Sequence, residues 1–313
     1  MVSGGYSEGK QRGAGTYMRD LYFIDEPAGI SFSGGRTSAY MLHRILEAHG
    51  GKLPDYVTVT FANTGKEMPE TLDFVRDCGE KWGVDIVWLE LGEYKVVGEW
   101  KTGSKAGSPK FKATTVVVDY DSAARKGEPF ERLVMKRRYL PNVVARFCTS
   151  ELKVRRIRDY LSSLGTKDWT QCIGIRADEP RRAIKMHGKK SEGHEMYLPL
   201  YVDGITKEMV GDFWAHQDFD LQLPNNNGVT DWGNCDVCYL KGGRKKMSII
   251  RERPDLADWW ADMEDKVGEL TTGSAARFRN DQPSYKEMKI IATSQRTLFD
   301  VIDDNTVPCY CGE

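Results

Sequence analysis

Ala28-Gly29-Ile30-Ser31-Phe32-Ser33-Gly34-Gly35-Arg36-Thr37-Ser38 passes from a short apolar run into two consecutive glycines flanked by hydroxyl side chains. Ala39, Met41, Leu42, Ile45 and Leu46 then recur at helical spacing, so the stretch reads as strand, tight turn, helix. Glycines at such a turn let the backbone approach a polyanion, and the N–H groups and dipole of the following helix favour phosphate or sulfate. Ser33, Thr37 and Ser38 add donors. Neither the Walker-type spacing nor G-x-G-x-x-G is present, and the turn taken alone leaves an ordinary strand-to-helix connection open.

Working outward, Tyr56 to Phe61 alternates and is rich in β-branched residues, and Pro69 to Trp82 follows as a helix with Leu72, Phe74 and Val75 inward. Val84 to Leu91 reads as a third strand. Strands alternating with helices at this spacing predict an α/β fold, a Rossmann-like doubly wound parallel sheet. Gly92 to Val144 has weak periodicity and is basic or Gly/Ser-rich, as in Lys101-Thr102-Gly103-Ser104-Lys105, which predicts a long functional loop inserted over about residues 92–145. Helical patterning returns over Glu151 to Leu164, and a buried strand over Trp169 to Ile175. A basic loop then leads to Pro199-Leu200-Tyr201 and to a helix capped by Thr206. Two further helices, Arg244 to Arg253 and Asp255 to Val267, precede a polar tail. The expected organisation is a flexible N-terminus over 1–20, a nucleotide-type α/β domain over 21–200 and a C-terminal helical, cysteine-bearing region over 201–313.

The 313 residues are 40% hydrophobic and 29% charged with a net charge of −1, the composition of a globular protein with no general affinity for polyanions or membranes. No apolar run of membrane-spanning length occurs, and Met1 to Arg19 lacks the apolar core of a secretory signal, so a cytoplasmic location is expected. Seven cysteines are too few for a disulfide scaffold in a chain this long. Cys78 and Cys172 read as small buried hydrophobes. Cys235-Asp236-Val237-Cys238 places two thiolates within reach of one ion or cluster, Cys148 precedes a helix whose dipole lowers a thiol pKa, and Cys309 or Cys311 can complete a set of four. Iron–sulfur cluster, zinc and a redox dithiol are all chemically open to such a set.

Ser31 to Ser38 resembles the pyrophosphate loop of the adenine-nucleotide α-hydrolase (PP-loop) superfamily, with Thr37 where that loop has Asp. Phe61-Ala62-Asn63-Thr64-Gly65-Lys66-Glu67-Met68-Pro69-Glu70-Thr71 resembles the Asp-Thr-Gly-x-x-x-Pro-Glu-Thr signature of the phosphoadenylylsulfate (PAPS) and adenylylsulfate (APS) reductases, with Asn63 for Asp. Gly174-Ile175-Arg176-Ala177-Asp178-Glu179, followed by Arg181 and Arg182, resembles the family's Gly-x-Arg-x-Asp/Glu segment, after which a Pro-Leu strand and a Trp-containing helix are expected at Pro199-Leu200 and Thr206 to Trp214. The segment from Cys148-Thr149 to Leu152-Lys153 is similar to that of DNA-phosphorothioation sulfurtransferases.

The resemblance implies a nucleotide site made by Ser33, Gly34, Gly35, Arg36, Thr37, Ser38, Asn63, Thr64, Gly65, Lys66, Glu67, Gly174, Arg176 and Arg181. It implies a [4Fe–4S] cluster, or zinc in its place, on Cys148, Cys235, Cys238 and Cys309. Cys311, Cys309, Lys153 and Arg176 are the implied catalytic residues. Two reactions follow from it. In one, a thiolate attacks the sulfur of PAPS or APS and a thioredoxin-like reductant releases sulfite. In the other, ATP activates an acceptor, a nucleic acid or a small molecule, with loss of pyrophosphate before a sulfur donor delivers its atom. A third reading is a catalytically inactive binding module with a structural metal. Lys136, Arg137 and Arg138 read as a solvated face or a patch for a nucleic-acid or protein partner, and a homodimer is the assembly the resemblance suggests.

Overall fold

The computed structural model describes residues 20–186, 190–191, 194–225, 230–271 and 276–294. β1 (Ala28–Phe32) is buried along its length and leads through the glycine turn into α1 (Arg36–Ala48). β2 (Val57–Ala62) and α2 (Pro69–Trp82) follow, the helix opened by Pro69 and stopped by Gly83 in the left-handed region. β3 (Ile86–Glu99) and β4 (Pro109–Val118) form a long hairpin. After α3 (Glu128–Arg137), a π-helical turn (Thr149–Val154) runs directly into α4 (Arg155–Ser163), and β5 (Trp169–Ile173) returns to the sheet.

α5 (Pro180–Met186), β6 (Lys190–Ser191), β7 (His194–Tyr197), α6 (Pro199–Val202) and α7 (Lys207–Ala215) complete the α/β part. α8 (Gly243–Glu252), α9 (Leu256–Thr271) and α10 (Tyr285–Thr293) pack on one another beyond it. Among the described residues the strands make one sheet in the order β4-β3-β2-β1-β5-β7-β6. β3, β2, β1, β5 and β7 are mutually parallel, and β4 and β6 are antiparallel edges. This is the expected parallel, Rossmann-like α/β sheet, with the carboxyl ends of β1 and β2 on one edge, where open α/β sheets hold their ligands. No described helix is long and apolar enough to cross a membrane.

One continuous core joins the two parts. Ile30, Phe32, Met41, Val59, Phe61, Leu72 and Phe74 fill the sheet-helix layers, and Trp260, Tyr239, Phe278 and Tyr285 fill the helical part, Trp260 stacking on Tyr285 at 5.3 Å between ring centroids. Cys78 and Cys172 are fully buried within it, and burial pushes the Cys172 thiol up to about 12.

Three expectations need correction. The third strand does not end at Leu91 but runs on to Glu99, and the expected long loop is largely hairpin and helix. Its residues are exposed on both faces, so no alternation marks them as strand. The Pro-Leu strand at Pro199-Leu200 is helical, since proline suits a first helical turn and β7 has already closed that side of the sheet. The polar tail contains α10, opened by a capping box in which Ser284 N donates to Glu287 Oε2 at 2.7 Å and Glu287 N to Ser284 Oγ at 3.2 Å. Thr206 caps α7 as expected, its hydroxyl accepting from Met209 N at 3.5 Å.

Candidate active site

At the end of β1 the chain reverses through Gly34, which has φ +78°. A Cβ there would also come within 2.6 Å of Thr71 Cγ2 on α2, so only glycine fits the turn. Ser38 fastens the loop: its hydroxyl accepts from Ser33 N at 3.1 Å, donates to Gly35 O at 2.9 Å and lies 2.9 Å from Ser33 Oγ. No side chain caps α1, so the N–H groups of its first turn stay available to a ligand. They border an open cleft lined by Ser33 to Thr37, Thr71, Arg176, Lys207, Thr230 and Asn234. Thr71 Oγ1 is buried behind this wall without a hydrogen-bond partner.

Arg176 reaches the loop by donating from Nη1 to Thr37 Oγ1 at 2.9 Å, and is held from behind by Asp178 at 2.9 Å and Glu179 at 3.6 Å. Arg36 is turned aside, its Nε donating to Asp220 Oδ1 at 2.7 Å. Arg181 is exposed, whereas Arg182 is buried against Glu179. Lys207, at the start of α7, is a site residue that the sequence reading did not include. Thr206 marks the helix start, but only the packing of α7 on α1 brings Lys207 to the loop.

A second cavity opens on the other side of Ser33 and Ser38. Its walls are mainly apolar, from Phe32, Val154, Ile157, Ile173 and Met196, with Trp169 stacked on His194 at 5.0 Å and 13°. Gly174 closes it beside α1, where a Cβ would stand 3.2 Å from Ser38 Cα. A cavity of this shape next to a phosphate-type loop suits a heterocyclic base.

The signature segment after β2 serves the architecture. Asn63 Nδ2 donates to Glu90 Oε1 at 2.6 Å and to Ala124 O at 2.9 Å, and Asn63 Oδ1 accepts from Gly65 N at 3.0 Å. Burial raises the Glu90 carboxyl above its ordinary range. Thr64 N and Oγ1 both donate to Glu67 Oε2 at 2.9 Å. Lys66 and Glu67 then grip the Cys-x-x-Cys loop: Lys66 Nζ pairs with Asp236 at 2.8 Å, Asp236 N donates to Lys66 O at 2.8 Å, and Glu67 forms a β-bridge with Cys235. Asp236 also accepts from Trp260 Nε1 at 2.7 Å, which ties the loop to the helical part.

Cys148, Cys235 and Cys238 thereby come to line one small cavity with Thr64, Leu152, Lys153 and Tyr239. Cys148 Sγ lies 3.3 Å from Tyr239 Oη and Cys235 Sγ 3.5 Å from Thr64 Oγ1. Burial, then the charge of Glu67, pushes the Cys235 thiol well above its ordinary pKa. Among the described residues no three Cys, His, Asp or Glu side chains stand at single-ion spacing. Three thiols around a common cavity are a donor set that either a zinc ion or an iron–sulfur cluster takes. Cys309 and Cys311 lie outside the described residues.

The cavities adjoin. Lys153, on the π-helical turn, lines both the base-shaped cavity and the thiol cavity, with Nζ 3.5 Å from Glu67 Oε1. Asn234, at φ +64°, lines both the loop cavity and the thiol cavity.

A glycine phosphate loop at the carboxyl edge of a parallel sheet, with thiols beside it, defines a PP-loop type of α/β protein. The phosphoadenosine phosphosulfate reductase domain matches residues 27–194, and the chain belongs to that family. It is similar to a protein of Escherichia phage lambda described as the uncharacterized nin region protein ORF290, at 34% identity over 250 residues, covering 79% of this chain and 75% of the relative. Among solved structures it is similar to the U34-tRNA thiolase NcsA from Methanococcus maripaludis with its [4Fe-4S] cluster, at 11% identity and a TM-score of 0.36, over 95% of this chain and 82% of that one. That likeness is too distant to bear on individual residues or ligands.

Proposed function

We propose that the chain is an ATP-dependent sulfurtransferase of the PAPS-reductase-like family, with an iron–sulfur cluster on Cys148, Cys235 and Cys238. The observation that carries the reading is the division of labour around the loop. The features that speak for pyrophosphate border the loop cavity: Gly34, Gly35, the uncapped α1 N-terminus, Arg176 and Lys207. The signature residues that speak for a sulfonucleotide, Asn63, Lys66 and Glu67, are committed to holding the Cys-x-x-Cys loop and the strand ends. In this reading the loop and Lys207 hold the β- and γ-phosphates of ATP while an acceptor oxygen attacks the α-phosphorus and pyrophosphate leaves. Sulfide from a donor then displaces AMP, giving the thiolated acceptor. A bound cluster supplies a site for that sulfur, and Lys153 offers its ammonium group to the leaving phosphate from between the two cavities.

Reduction of PAPS or APS is the second reading, favoured by the Cys309-Tyr310-Cys311 tail. The two separate cleanly with protein purified without oxygen. Pyrophosphate release from ATP with acceptor and sulfide supports the first; sulfite release from PAPS or APS with thioredoxin overturns it in favour of the second. Lys207→Ala weakens ATP binding about tenfold, the worth of one charge-assisted phosphate contact. Visible absorption of the anaerobic protein that is lost in Cys148→Ser, Cys235→Ser and Cys238→Ser supports the cluster, and colourless protein with one zinc per chain sinks it.

A further inference from the structure

The β3–β4 hairpin has no role in the sheet's core beyond its base. Past Leu91 it projects from the carboxyl edge of the sheet, the edge that carries the loop and thiol cavities. Residues 92–118 contain five lysines, at 95, 101, 105, 110 and 112, against two acids, Glu93 and Glu99, and Glu93 is already paired with Arg132 at 2.9 Å. The chain as a whole carries a net charge of −1, so the excess is local.

Its arrangement is costly without a counter-charge. Lys95 and Lys112 are direct cross-strand partners, a placement that destabilises a hairpin when both carry the same sign. Asp159 offsets Lys112 at 3.2 Å, but among the described residues no acidic group stands within ion-pair distance of Lys95, Lys101, Lys105 or Lys110. Aromatic rings are interleaved with these cations. Trp100, 42% exposed, lies under Lys110 at 5.2 Å, and Phe111, 47% exposed, lies under Lys136 of α3 at 3.6 Å. Exposed rings among lysines are what a single-stranded nucleic acid engages, phosphates on the cations and bases on the ring faces.

The arm is also held in place. Arg156, fully buried in α4, donates to Glu151 O at 3.0 Å, to Thr114 O at 2.7 Å and to Thr115 Oγ1 at 2.9 Å, so β4 is fixed to the element that follows the Lys153 turn. A strand bound along the arm is thus delivered to the edge where Lys153 and the thiols lie.

We infer that the β3–β4 arm is a docking surface for a single nucleic-acid strand. As a statement of the acceptor's class this rests on the sulfurtransferase reading; as a statement of binding it does not. The test is fluorescence anisotropy of the full chain with short labelled single-stranded DNA and RNA of mixed sequence, their duplexes, and polyglutamate as a polyanion without bases. The expected result is single-strand binding that weakens steeply with salt, falls at least about tenfold in Lys95→Glu/Lys101→Glu/Lys110→Glu and about fivefold or more in Trp100→Ala. The DNA and RNA arms identify which sugar is preferred. Absence of binding at low salt, unaltered binding by the triple variant at unchanged melting temperature, or equal competition by polyglutamate overturns the proposal. ATP binding measured on the same proteins keeps the two ideas apart: it persists if only the arm fails, and oligonucleotide binding persists if only the ATP reading fails.

Discussion

Gly34 is the residue on which the nucleotide reading turns, because φ +78° and the 2.6 Å approach of Thr71 exclude any side chain. Gly34→Ala is expected to lower ATP affinity at least about tenfold, since a strained left-handed alanine alone costs about 1–2 kcal/mol and the clash adds to it. Isothermal titration with a non-hydrolysable ATP analogue measures this, and unchanged affinity would remove the loop from the site. The turn was legible in the sequence because everything it needs is local: an apolar run, two glycines and three hydroxyls within a few positions. Lys207 was not, because its place depends on a helix returning from far along the chain. Asn63, Lys66 and Glu67 stand apart from the residues that line the loop cavity: Asn63 ties the end of β2 to Glu90 and Ala124, while Lys66 and Glu67 hold the Cys-x-x-Cys loop.

Among the elements, the β3–β4 arm depends on one buried guanidinium. Arg156→Met removes three hydrogen bonds to β4, at Ala113 O, Thr114 O and Thr115 Oγ1, one to Glu151 O of the π-helical turn and the pairing with Asp159, at a cost of about 3 kcal/mol. Urea denaturation reads the loss. Limited trypsin digestion, followed by mass spectrometry, is expected to show faster cleavage at Lys95 to Lys112 in the variant; an intact arm at wild-type rates would mean that sheet pairing alone holds it. The hairpin was illegible because a strand exposed on both faces has no hydrophobic period to read. α10 is the contrary case: Ser284 and Glu287 at capping-box spacing, with Tyr285, Met288 and Ala292 inward, were present in what read as a polar tail.

For the molecule as a whole, Glu264 makes stability depend on pH. It is buried in α9, where Oε1 accepts from Phe278 N at 3.2 Å and Oε2 from Tyr285 N at 2.9 Å, and burial raises its pKa from 4.5 to about 7. The folded protein therefore keeps this proton up to about pH 7, whereas the unfolded chain releases it near pH 4.5. Between those values unfolding releases a proton, so rising pH favours the unfolded chain, by on the order of 3 kcal/mol at most. Glu264→Gln is expected to be less stable throughout, because its NH2 cannot accept from a backbone N–H, but to lose this slope between pH 5 and 7. Thermal melts across that range decide it; an equal slope in both proteins would assign the dependence elsewhere.

Lys153 borders two cavities with a single ammonium group. A ligand in one that draws this charge toward itself alters the field felt in the other, and thermodynamic reciprocity makes the effect equal in both directions. The free energy by which a nucleotide changes the affinity of the thiol cavity for its occupant is the same as that by which the occupant changes the affinity for the nucleotide. In the sulfurtransferase reading, the two halves of the site do not titrate as independent receptors.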